Sequence, residues 1–213
     1  MKKAIITLAA MFAIATSSFA QESNGDDARE KFQFGLKVGA NYSNVYDSEG
    51  EDFNTDGKLG LAGGAFLAIP IGKILGIQPE VLFSQKGFHG KGRILGGGYD
   101  FTRTSNFLDI PLFVALKPAP FLTFLAGPQF SYLLSQKDQF KNAYSTVAQE
   151  QEFENDNVRK NILCFVGGFD ININHVVVGA RAGWDVQSNK GDGTSTTPRY
   201  KNVWLQGTIG FRF

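Results

Sequence analysis

From residue 32 onward the chain changes polarity at every second position. Phe32, Phe34, Leu36, Val38, Ala40 and Tyr42 fall on one face, and Gln33, Gly35, Lys37, Gly39 and Asn41 on the other. A period of two is the signature of a strand with unlike faces. The same reading applies to residues 58–69, 74–86, 106–116, 121–136, 161–172, 176–185 and 202–213. In the second half, Gln129, Ser131 and Ser135 oppose Phe130, Tyr132 and Leu134. Toward the end, Asn202, Trp204, Gln206, Thr208, Gly210 and Arg212 oppose Val203, Leu205, Ile209, Phe211 and Phe213. Eight strands are expected.

The connections alternate in length. Residues 70–73, 117–120 and 173–175 make tight turns. Residues 43–57, 87–105, 137–160 and 186–200 make long polar loops, the second of them containing His89. Short turns at one end and long loops at the other mark an outer-membrane barrel. Lipid cannot satisfy an open strand edge, so such a sheet must close on itself. The expected fold is all-β: an eight-stranded antiparallel up-and-down transmembrane β-barrel with a filled polar lumen. A soluble barrel would place the apolar face inside. Against that alternative, the polar face is rich in Gly, Ser and Asn, with only one or two charges per strand.

The polar face therefore lines the lumen. Its members include Lys37, Gln78, Glu80, Asp109, Gln129, Asp170, Arg181, Gln206 and Arg212. Both signs occur in similar numbers, and unpaired charges in so narrow a space are costly. Pairing and a closed interior are expected, with lumen glycines such as Gly35, Gly179 and Gly183 offsetting long side chains.

What precedes the strands reads as export. Lys2 and Lys3, the apolar run of residues 4–15 and the small residues Ser18 and Ala20 make a cleavable signal peptide over residues 1–20. Residues 21–31 read as a flexible periplasmic segment, and residues 32–213 as the barrel domain. Losing the leader takes the formal charge from +1 to −1, which removes the electrostatic case for nucleic acid. Hydrophobic residues at 43% and charged residues at 19% exclude a disordered chain. A single cysteine, Cys164, excludes a disulfide framework and a cysteine zinc cage.

Candidate chemistry is sparse. His89 and His175 fall at opposite ends of the expected barrel and cannot serve one site. Asp52, Asn54 and Asp56 match the opening of a calcium loop, but the twelfth position is Gly63 rather than Glu. A solvated acidic loop is expected there, with divalent-cation binding as the alternative. Cys164 is expected to be a packed small residue rather than a reactive thiol. No cofactor and no catalytic group is expected.

Several stretches resemble the PorT-type outer-membrane β-barrel family, common in Bacteroidota. They are residues 34–44, 77–87, 108–112, 126–129 with 132–134, and 207–213. The Gln-Pro-Glu-Val-Leu-Phe-Ser-Gln-Lys-Gly block at residues 78–87 is the most specific. Asp109 departs from the family's pattern, where Glu is expected. The resemblance implies an eight-stranded barrel in the cell outer membrane, assembled by the insertion machinery. Phe211 and Phe213 resemble the aromatic strand end which that machinery reads. The resemblance implies little about activity beyond the link of the family's founding type to protein secretion. The leading expectation, from the long loops and the absence of a catalytic constellation, is a non-enzymatic role, structural or associated with secretion, through the external loops. The partners expected are outer-membrane lipid and a protein or ligand at those loops. A small-solute pore is the alternative.

Overall fold

The computed structural model describes residues 27–47, 55–94, 97–142, 146–151, 160–187 and 200–213. The leader, Asp52 and Asn54 lie outside the described residues. Among the described residues nine strands form: β1 (Gln33–Asp47), β2 (Thr55–Pro70), β3 (Leu75–Ile94), β4 (Gly97–Ala119), β5 (Leu122–Asn142), β6 (Thr146–Gln151), β7 (Asn161–Ile173), β8 (Val176–Asp185) and β9 (Tyr200–Arg212). Every pairing is antiparallel. Eight strands close into a barrel, with β9 returning to β1 from Gly35↔Arg212 to Asp47↔Tyr200. The ninth, β6, lies outside this circuit. It pairs with the far end of β5 from Gln136↔Gln151 to Lys141↔Thr146, while β7 takes the same edge of β5 from Leu122 to Tyr132.

The two faces separate as the alternation requires. Leu36, Leu112 and Phe211 are 49%, 52% and 47% exposed on the outer wall, whereas Lys37, Glu80 and Arg181 keep 3%, 1% and 4% inside. Such an apolar exterior suits lipid and could not face water over so large a contiguous area.

Two expectations on the connections need correction. Residues 87–105 are not a loop: β3 and β4 run on as one hairpin, paired as far as Ile94↔Gly97. His89 accordingly sits on β3 and not in a loop, its Nδ1 2.9 Å from Thr102 Oγ1. Residues 137–160 likewise hold the end of β5 and all of β6. The reason is that hydrogen-bonded pairing continues past the point where the outer face stops being apolar. Ser135 is also corrected. It faces outward, because the register slips between Asn106↔Ser135 and Phe107↔Leu133, leaving Leu134 as an extra residue in β5. That bulge turns Gln136 and Asp138 inward instead.

A closed barrel held by this many ladder bonds resists detergent. An unboiled sample is expected to migrate ahead of a boiled one on a denaturing gel. Identical migration of the two would contradict closure.

Candidate functional site

The interior is built in layers, each joining strands that are distant in sequence. Near the middle, Lys37 on β1 donates to Glu80 Oε1 on β3 at 2.7 Å. Arg181 on β8 reaches the same oxygen at 3.2 Å and grips Asp170 on β7 through Nη1 at 2.7 Å and Nη2 at 3.0 Å. Gln78 donates to both carboxylates. Two cations and two anions thus neutralise one another within a water-excluded space, the condition under which buried charges are tolerated. Aromatic faces complete the shell: Lys37 lies 4.8 Å from the Phe66 ring centre, and the Arg181 guanidinium 5.4 Å from that of Phe113.

A second cluster lies on the side of the long connections. Lys86 Nζ is 2.9 Å from Asp109 Oδ2 and sits over Trp204 at 3.7 Å and Phe107 at 4.9 Å. Ser131 donates to Asp109 Oδ1 at 2.6 Å and accepts from Gln129 at 3.0 Å. Gln206 donates to Asn41 Oδ1, and Asn41 in turn donates to Ser84 Oγ. Beyond these, Cys164 is buried with its Sγ 3.2 Å from Asp185 Oδ1, and Asn202 donates to Asp185 Oδ2 through both its backbone and its side chain. Glycine makes room for the large members. A Cβ at Gly183 would overlap the Trp204 indole, and one at Gly35 would overlap the Phe66 ring.

The outer mouth carries a plug. Arg103 forms a two-pronged pair with Asp138 at 2.8 and 2.6 Å and donates to Tyr200 Oη at 2.7 Å. Phe88, Phe101 and Tyr200 surround its guanidinium at 5.3–6.0 Å. The opposite mouth is narrowed by the chain ahead of β1. Residues 28–30 form a 3-10 turn capped by Asp27, with Arg29 donating to Lys117 O and Lys117 Nζ donating to Arg29 O. The Arg29 guanidinium holds the Asp27 carboxyl well below the usual carboxylate range. This contact is therefore complete above the ordinary carboxylate value of about 4 and lost only in stronger acid. The Arg29 Nε–H resonance, followed in a pH titration, is expected to move only below that value.

Most lumen residues read from the alternation meet in these clusters. Arg212 does not: it stands half-exposed at the rim that carries the short turns, donating to Asn174 O and to Gln33 Oε1. Asp56 pairs with Lys91 at 2.9 Å, and among the described residues no cluster of His, Cys, Asp and Glu is set to hold a metal. Phe213 stacks on Phe34 with ring centres 4.7 Å apart, and Phe211 packs edge-on against it. Phe66, Phe107 and Phe113 also point into the lumen, where the sequence expectation names polar residues and glycines. Phe107 and Phe113 share the parity of Asp109, and Phe66 that of Ala62, which pairs with inward Ser84, so the signal was present.

Comparison with known proteins agrees with this architecture. Ail, the attachment invasion locus protein of Yersinia pestis, superposes with a TM-score of 0.50 at 14% identity, covering 86% of this chain and 99% of Ail. Neisserial surface protein A gives a TM-score of 0.46 at 10% identity over 84% and 97%. At 14% identity the likeness to Ail shows the fold alone. No curated protein matches the sequence. Residues 19–186 match the outer membrane protein beta-barrel domain, and the chain belongs to that family.

Proposed function

We propose that this protein is a non-enzymatic, non-conducting barrel of the outer membrane that presents its external sheet and loops to partners. The observation that carries this reading is the lumen. Lys37, Glu80, Asp170 and Arg181 are paired across the bore with exposures of 1–4%, and the Arg103–Asp138–Tyr200 plug stands above them. An ion crossing the barrel would have to break these pairs in a medium of low dielectric constant, which costs several kcal/mol for each charge uncovered. Among the described residues of the lumen, no nucleophile is poised beside a base in an accessible cleft.

The finer parts of the reading rest on the sequence. Residues 1–20 act as a signal peptide that directs export and is then cleaved after Ala20. Insertion uses the aromatic residues Phe211 and Phe213 on β9. A PorT-type, secretion-associated role of the kind found in Bacteroidota is supported by the block at residues 78–87.

Planar-bilayer recording separates this reading from that of a small-solute pore. The folded protein is expected to give no steady single-channel current. Reproducible unitary currents would reject the closed lumen and favour the pore.

A further inference from the structure

On β3, β4 and β5 the outer wall changes chemistry at one height. Phe83, Leu108 and Leu134 belong to the apolar belt. Immediately above, Gln85 Nε2 donates to Asn106 Oδ1 at 3.0 Å, and Asn106 Nδ2 donates to Ser135 Oγ at 2.9 Å. This polar rung marks the edge of the hydrocarbon. The same three strands continue past it, and their outward residues stay in register: His89 beside Thr102 beside Gln139, then Lys91 beside Asp100 beside Lys141. These side chains, with Asp56 bonded to Lys91, border an open concavity of about 340 Å³.

We propose that this concavity docks the sugar headgroup of a glycolipid anchored in the adjoining leaflet. Height argues for that occupant. Lys91 and Lys141 stand six residues above the rung, about 20 Å along a strand and roughly 14 Å above the hydrocarbon at a 45° tilt. The headgroup layer of an ordinary phospholipid is only about 5–8 Å thick. A lipid must carry sugars to reach this far. Chemistry argues the same way. Sugar hydroxyls donate and accept, and the site offers both: carboxylates at Asp56 and Asp100, an amide at Gln139, a hydroxyl at Thr102 and ammonium groups at Lys91 and Lys141. The exposed Lys141 suits a phosphate or carboxylate substituent on the sugar. Continuity with the lipid-facing wall is the third argument. A glycan tethered to a neighbouring lipid is held beside the concavity at high effective concentration, whereas a free one is not.

The proposal is independent of conduction: a conducting barrel would overturn the preceding reading and leave this one standing. The test uses the full folded barrel in detergent, titrated by native mass spectrometry with four probes. They are a glycolipid bearing a phosphorylated core oligosaccharide, the same lipid stripped of its core sugars, phosphatidylglycerol, and the released core oligosaccharide. The core-bearing glycolipid is expected to bind at least tenfold more tightly than the other three. Lys91→Gln combined with Lys141→Gln is expected to abolish that advantage. Lys73→Gln, on the opposite side of the membrane, is expected to preserve it. Unboiled gel migration reports whether each variant is folded. Should the double variant fail to assemble, Thr102→Val, which alters no charge, decides by lowering the same preference at least threefold. Equal binding of stripped lipid or phosphatidylglycerol would overturn the proposal, as would a folded variant that keeps the full preference. Equal binding of the released oligosaccharide would also overturn it, by showing that a free glycan is the ligand.

Discussion

Glu80→Ala is expected to destabilise the folded barrel by roughly 3–5 kcal/mol, the usual cost of removing one partner from a buried ion pair. Glu80 Oε1 is shared by Lys37 and Arg181. Without it, Asp170 alone faces two cations, of which only Arg181 is bonded to it. Lys37 is left with the Phe66 ring and no anion in contact. Urea unfolding of the protein in lipid vesicles, followed by tryptophan fluorescence, measures the loss. A change below about 1 kcal/mol would show that the lumen network contributes little. The paired replacement of Lys37 and Glu80 by Met is expected to recover most of the deficit, because it leaves the Arg181–Asp170 pair internally balanced and strands no charge.

Trp204→Ala is the second large effect, expected to cost roughly 3–5 kcal/mol. The indole is 2% exposed and fills the space that Gly183 leaves on the neighbouring strand. Its truncation opens a void beside Lys86 and takes away the ring face 3.7 Å from that ammonium. Trp204→Phe is expected to recover about half of the loss, since it restores an aromatic face but not the full volume. Equal unfolding midpoints for the alanine and phenylalanine variants would mean that neither volume nor ring face matters at this level.

The portion of the fold inside the membrane was legible because lipid imposes a strict demand on alternate residues. The outward Leu36 and inward Lys37 could be assigned without knowing any contact. Above the polar rung the demand ends. Gln85, His89 and Lys91 face water on one side while Arg103 and Asp138 are polar on the other, so no period of two survives in hydropathy even though the ladder continues. Hydropathy alone therefore predicts a loop where the β3–β4 hairpin stands and carries no signal for β6. The bulge at Leu134 was invisible for a related reason. A one-residue slip exchanges the faces only beyond it, where Ser135 and Gln136 look alike to a hydropathy scale. Of the lumen, the charged members could be named but not matched. Which cation meets which anion depends on register between strands such as β3 and β8, whose members Glu80 and Arg181 are 101 residues apart.

The seam between β1 and β9 has a kinetic consequence. Gln206 and Asn41, hydrogen-bonded across it, are separated by 165 residues, so the seam cannot form until the final strand has been delivered. Loop-closure entropy makes such distant pairings slow. Until then the first strand presents an open edge to any neighbouring chain. A chaperone or an assembly template that shields that edge before zippering would set the yield of folded protein, and the rate of ring closure would set its tempo.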